Sequence, residues 1–157
     1  MAESAGHGFP KKRVAAGALF FDEGGRLLVV KPTYLERWGI PGGVVEAGES
    51  PRDGCAREVL EELGLEVTPG RLVAVDYTSA NARTDDSLQF LFDGGVLGPA
   101  AIASIRLPPE ELTGYRFAPR VQAIALLGGG RLARRMPAAL RAYDEGRTVY
   151  LQDGREA

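Results

Sequence analysis

Three glutamates, Glu58, Glu61 and Glu62, stand at i, i+3 and i+4 in a segment with helical periodicity. Side chains at that spacing share one helix face, where like charges repel and weaken the helix. A hard divalent cation would offset the repulsion, since Mg2+ takes carboxylate oxygens in near-octahedral geometry and retains part of its water. The other reading of a bare E-x-x-E-E is a solvated acidic helix face. Context argues for the cation. Just upstream, Gly42-Gly43 lets backbone approach a ligand closely, and a carbonyl exposed there adds an oxygen donor. Arg57 adjoins the cluster, and Glu49 is a partner able to tie the preceding loop to the helix.

The element that must position these groups is a helix from Ser50 to Leu63. Ser50 suits the N-cap, Pro51 the first turn, Asp53 a capping-box-like pair, and Gly64 the left-handed stop. Ala56, Val59, Leu60 and Leu63 form the stripe expected to face the core. Before the helix, Val14–Phe21 and Arg26–Lys31 flank Asp22-Glu23-Gly24-Gly25 as a hairpin, and Pro32 ends its second strand. Trp38–Gly43 reads as a glycine- and proline-rich loop. After the helix, Arg71–Thr78, Ser87–Asp93 and Ile102–Leu107 are strand-like, with a polar loop at Ser79–Asp86. Pro108–Glu111 is predicted to open a short helix. Further helices are expected at Pro119–Leu127 and Arg131–Tyr143, the second disturbed by Pro137, and a last strand at Thr148–Leu151. Strands and helices mix without regular alternation, so the expected fold is α/β, a mixed sheet flanked by helices.

Gly43, Glu49 and Arg57-Glu58-Val59-Leu60-Glu61-Glu62-Leu63-Gly64-Leu65 read as G-x5-E-x7-R-E-U-x-E-E-x-G-U, with U aliphatic. This resembles the Nudix box, with every defined position filled. The resemblance implies an α/β/α sandwich with a mixed central sheet. It implies hydrolysis of the pyrophosphate bond in a nucleoside diphosphate linked to another moiety, with Mg2+ or Mn2+ as cofactor. Carried onto this chain, Glu58, Glu61 and Glu62 become the catalytic, metal-binding carboxylates and Gly42 the backbone ligand. Glu49 and Arg57 become the structural salt bridge. Water, activated beside the metal, would attack phosphorus with Glu58 or a carboxylate from another loop as base. The alternative is a Nudix-fold sensor that binds a nucleotide and turns it over poorly. A small-molecule diphosphate is the expected partner, and the family's frequent homodimers extend the expectation to a dimer.

The late carboxylate that many family members add is not obvious, since no Asp or Glu lies between Asp93 and Glu110. Asp85 and Asp86, in the polar loop, are the preferred candidates; Glu110 and Glu111 are explained by the dipole of the helix expected after Pro108. Trp38 either stacks on a base or packs in the core. Arg83 is a candidate clamp for an anionic substrate, whereas Tyr34 and Arg37 read as surface residues. The proline and tyrosine that mark particular substrate subgroups beyond the box are absent, so the substrate is open. Arg131, Arg134 and Arg135 read as a solvated basic helix face. P-loop, Rossmann and nucleophile-elbow patterns do not occur.

Composition bounds the rest. The chain of 157 residues has 19 Lys+Arg against 21 Asp+Glu, a net charge of −2, which argues against sequence-independent binding to nucleic acid. One cysteine, Cys55, and one histidine, His7, preclude a disulfide framework or a Cys/His zinc site. No apolar run approaches the length of a membrane helix. The expectation is a cytoplasmic protein with a flexible leader at 1–12 and a single domain at 13–157.

Overall fold

The computed structural model describes residues 8–157. Part of the expected leader, residues 1–7 with His7, lies outside the described residues. β1 (Arg13–Asp22) is the centre of a mixed sheet, and from Ala16 onward every residue is buried. A strand covered on both faces needs a continuous apolar run, and Ala16–Phe21 supplies one. The turn after it is held by Asp22, whose Oδ1 accepts the N–H groups of Gly24 at 3.0 Å and Arg26 at 2.8 Å. β2 (Leu27–Pro32) returns antiparallel, as the hairpin pattern requires.

The next strand, β3 (Gly42–Val44), lies where composition predicted only loop. It pairs antiparallel with Ala15–Gly17 on the same edge of β1 that β2 leaves free. Glycine makes the approach: at Gly42, φ is +152° and a Cβ would lie 2.4 Å from the Ala16 carbonyl oxygen. α1 (Pro51–Leu63) follows, then β4 (Leu72–Thr78) and β5 (Ser87–Leu97). β5 runs parallel to β1 and extends beyond the predicted end through Gly94, where a Cβ would meet the Phe20 ring at 2.6 Å.

Ile102–Leu107 is not a strand. Pro99 starts a short helix, α2 (Pro99–Ala103), and the partly buried Ile102 and Ile105 sit at helical rather than alternating spacing. Pro108–Glu111 is a turn, not a helix, with Glu111 and Leu112 both donating to the Pro108 carbonyl. It leads into β6 (Leu112–Ala118), antiparallel to β2 and missed in the sequence because only its ends are buried. α3 (Arg120–Leu126), α4 (Arg131–Glu145), β7 (Val149–Gln152) and β8 (Arg155–Glu156) complete the chain. The strand order is β6-β2-β1-β5-β4-β7-β8, with β3 attached to β1.

Each face of the sheet has its own apolar cluster. α1 packs over Ala16, Ala18, Phe20 and Leu28, while α3 and α4 cover Leu19, Phe21, Val29 and Leu91. The result is the α/β/α sandwich with a mixed central sheet. The α1 stripe is rotated from the predicted one: Cys55, Val59 and Leu63 face the core and Leu60 is 47% exposed. That rotation turns Glu58 and Glu62 toward the sheet. No helix among the described residues is long and apolar enough to cross a membrane.

Candidate active site

The loop and helix that carry the glutamates are braced by one arginine. Ser50 Oγ accepts the Asp53 N–H at 3.0 Å, and Gly64 closes the helix at φ +71°. From this helix Arg57 grips Glu49 with two parallel hydrogen bonds, Nε to Oε2 at 2.8 Å and Nη2 to Oε1 at 2.9 Å. The same guanidinium donates to the Val44 carbonyl at 3.1 Å and reaches Glu58 and Glu61 at 3.1 and 3.3 Å. The Arg57 contact, with the Glu46 N–H, holds the Glu49 carboxyl down at about 2. A planar fork matching a carboxylate edge is why this position suits Arg and not Lys.

Glu62 points back at the wall of the sheet, accepting the Gly42 N–H at 2.8 Å. Burial pushes its carboxyl up to about 8 against the pull of that N–H, and Glu58, Glu111 and Glu61 add to the rise. Glu58 fills the space a side chain at Gly43 would take: a Cβ there would lie 2.4 Å from its Cδ. Its carboxyl is also raised, by burial first. Glu61 is more exposed and faces Arg57.

Among the described residues no three acidic, histidine or cysteine side chains converge as a ready-made metal cluster. Arg57 holds Glu58 and Glu61, and Gly42 holds Glu62. The donor set nonetheless fits a hard divalent cation: it is all oxygen, it is crowded with carboxylates in a half-buried setting, and Gly43 cradles one of them in place of a side chain.

Two cavities meet at this wall. One, of about 440 Å³, is lined by Glu62 and Glu111 together with Val30, Pro32, Gly39 and Leu112. The other, of about 560 Å³, lies between the sheet and α4 and is lined by Arg13, Arg37, Gln89, Leu132 and Arg135. Tyr34, Ile40 and Gly42 line both. The first carries carboxylates and no arginine; the second carries three arginines and no carboxylate.

The candidates in the sequence are distributed unevenly over this geometry. Glu58, Glu61, Glu62, Gly42, Glu49 and Arg57 are joined by hydrogen bonds between α1, β3 and the loop that connects them. Trp38, Arg83, Asp85 and Asp86 line neither cavity. Trp38 packs against the α3–α4 core with the Arg116 guanidinium over its ring at 4.9 Å. Asp86 pairs with Lys12 at 2.6 Å and accepts from the Tyr77 hydroxyl at 2.9 Å. Arg83 and Asp85 are exposed on the polar loop. Cys55 is sealed in the α1 core, where burial pushes its thiol up to about 12.

Glu111 is the acidic residue that the fold brings opposite the box helix. The dipole argument that accounted for it falls with the helix it assumed. Tyr34 and Arg37 are exposed, as read from the sequence, and also edge the cavities, whereas the basic face of α4 is not solvated throughout. Arg135 is 5% exposed and pairs at 2.7 Å with Asp76, which is 1% exposed. Arg131 donates to the Ser79 carbonyl. Arg13 and Gln89 carried no local signal, and the local readings of Glu111 and Arg135 pointed elsewhere, because the four are gathered from elements far apart in the chain.

The NUDIX domain family model matches residues 11–139. A MutT-like protein of Streptomyces ambofaciens is 39% identical over 66 residues, covering 42% of this chain and 43% of that protein. The putative ADP-ribose pyrophosphatase YjhB of Bacillus subtilis is 35% identical over 68 residues, covering 43% and 32% respectively. The chain thus aligns with less than half the length of these curated relatives. Among solved structures, the MutT protein from Methanosarcina mazei Go1 superposes with a TM-score of 0.69 at 23% identity, covering 88% of this chain and 97% of that one. A braced loop–helix with its complete box, on a sheet of that shape and under a family model spanning most of the sequence, leaves one assignment: the chain belongs to the NUDIX domain family.

Proposed function

We propose that this chain is a pyrophosphohydrolase, dependent on a divalent metal that we take to be Mg2+, which cleaves the diphosphate of a small nucleotide-type substrate. The observation that carries the reading is the meeting of an acidic and a basic cavity at Gly42. A diphosphate at that junction would have the carboxylates of Glu62 and Glu111 on one side and Arg13 and Arg37 on the other. The family membership and the naming of one relative as a putative ADP-ribose pyrophosphatase support the reaction class.

The residues divide the work. Glu58, Glu61 and Glu62, with the Gly42 backbone, would hold the metal, which when bound neutralises phosphate oxygens and acidifies water. Arg57 and Glu49 keep the loop and helix in register, so that the carboxylates need no reorganisation during the reaction. Glu111, across the cavity from Glu62, is the side chain placed to take a proton from an attacking water. Arg37 and Arg13 receive the anionic part of the substrate.

The test is product analysis with Mg2+ on nucleoside triphosphates, ADP-ribose, nucleotide sugars and dinucleoside polyphosphates. Cleavage at a phosphoanhydride is expected for at least one. Glu62→Gln keeps the hydrogen bond to Gly42 and removes a charge, so turnover should drop on the order of 10²–10⁴-fold with the fold intact. Full metal-dependent activity in that variant would overturn the assignment.

A further inference from the structure

The larger cavity owes its existence to small residues. On the α4-facing side of β1, Leu19 and Phe21 fill one end, whereas at the other end Ala15 is small and Gly17 is covered only by Ile40 and the Pro41 backbone. Beside them the sheet carries a polar island in place of core. Gln89 pairs with Ala15 on one side and with Asp76 on the other, and Ser87 pairs with Thr78. Into this island α4 drops Arg135. Its Nε donates to Asp76 at 2.7 Å and its Nη2 to Thr78 at 3.2 Å, leaving Nη1 with no protein partner among the described residues. No sealed side-chain nitrogen or oxygen there lacks a partner, so Nη1 is an accessible edge of a residue that lines the cavity. Gln89 donates its Nε2 to Ser87 at 3.0 Å, which leaves its Oε1 unpartnered.

Burial decides what such a pair of groups takes. Arg135 is already compensated by Asp76, which also accepts the Gly154 N–H at 3.0 Å, so the pair as a whole is neutral. A full anion drawn in here would bring an uncompensated charge into a low-dielectric space. A neutral acceptor would not. Arg13 and Arg37, exposed and with no ion-pair partner among the described residues, are the groups suited to anionic oxygens. Leu91, Leu132 and Ile40 supply apolar walls of the kind that enclose a flat ring.

We propose that this cavity holds the nucleobase and reads its lactam edge, a ring carbonyl beside a ring N–H. The carbonyl accepts from Arg135 Nη1 and the N–H donates to Gln89 Oε1. Guanine, hypoxanthine and uracil present that edge; adenine and cytosine present the inverse, an amino group beside a bare ring nitrogen. Each inverted base would set N–H against N–H and oxygen against nitrogen lone pair, and a site built for hydrogen bonds rejects what cannot make them. The inference rests on the hydrolase reading for its substrate but not for its test.

Binding separates the two. Calorimetry with GDP against ADP, and UDP against CDP, in the presence of EDTA, reads base preference without turnover. The lactam bases should bind about tenfold or more tightly. Gln89→Leu and Arg135→Lys should each bring the ratio near one, the second keeping a cation against Asp76. Should Arg135→Lys fail to fold, Gln89→Leu decides alone. Equal affinity for all four nucleotides, no binding of any, or a preference that survives the folded variants overturns the proposal. Base preference in binding without hydrolysis of any diphosphate sinks the enzyme reading and leaves this one standing.

Discussion

The two faces of the sheet treat charge in opposite ways. On the α1 face, Arg57 reaches Glu58 and Glu61, Glu62 turns to the Gly42 N–H, and burial holds Glu58 and Glu62 back from ionising. On the α4 face, Arg135 is buried too, but with a carboxylate matched to it at 2.7 Å, while Arg13 and Arg37 remain in solvent. One side holds carboxyls whose ionisation burial opposes, and the other a buried charge already matched. Carboxyls held back from ionising are the arrangement a cation can exploit, because binding it favours the charged form that burial opposes. A neutralised pair instead offers direction without net attraction. On the proposed reading, chemistry belongs to the first face and recognition to the second, with three strand residues, Gly42–Val44, as the wall between.

That division can be broken by experiment. Gly43→Ala should have the largest effect. The new methyl enters the space of the Glu58 carboxylate, the flexible end of a side chain, so the fold can yield cheaply while the carboxylate moves. A displacement of this size should lower kcat on the order of 10²-fold with little change in Tm. Unchanged kcat would remove Glu58 from the chemistry. Arg37→Ala on the opposite side should act on binding, raising KM by about three- to tenfold at low salt with kcat nearly constant, and the effect should fade as ionic strength rises. A fall in kcat with KM unchanged would erase the distinction between the faces.

The smallest effect concerns the brace on the α1 face. Glu49 has a folded pKa lowered from 4.5 to about 2, so its ion pair with Arg57 contributes stability that is fully present above 4.5. That contribution is lost as pH falls toward 2, where the folded carboxylate takes up its proton. Glu49→Gln should therefore lower stability at neutral pH and flatten its dependence between pH 4.5 and 2. Denaturant midpoints across that window measure it; parallel curves for the two proteins would assign the brace to Arg57's other partners.

What was legible in the sequence follows the range of the contacts involved. The box helix, its Ser50 and Gly64 ends, the hairpin at Asp22 and the Glu49–Arg57 pair are all made within a short stretch of chain. Caps, turns and i, i+3, i+4 spacing describe them. The misread segments are those whose state depends on a distant partner. Gly42–Val44 is a strand only because β1 lies beside it, and Leu112–Ala118 only because β2 does. The helical wheel placed Leu60 in the core, yet the sheet, not the wheel, selects which stripe is buried.

The same physics divides the site. The sequence by itself determined the family, the acidic helix and the brace that orients it, because a few fixed spacings along one helix and its loop specify them. Tertiary structure alone decided that Glu111, rather than the polar-loop aspartates Asp85 and Asp86, faces that helix, and that Arg135 is buried against Asp76 instead of solvated. A cavity between a sheet and a helix is made of side chains from several elements. Whether an arginine there meets water or a carboxylate is set by strand order and register, which no local spacing encodes.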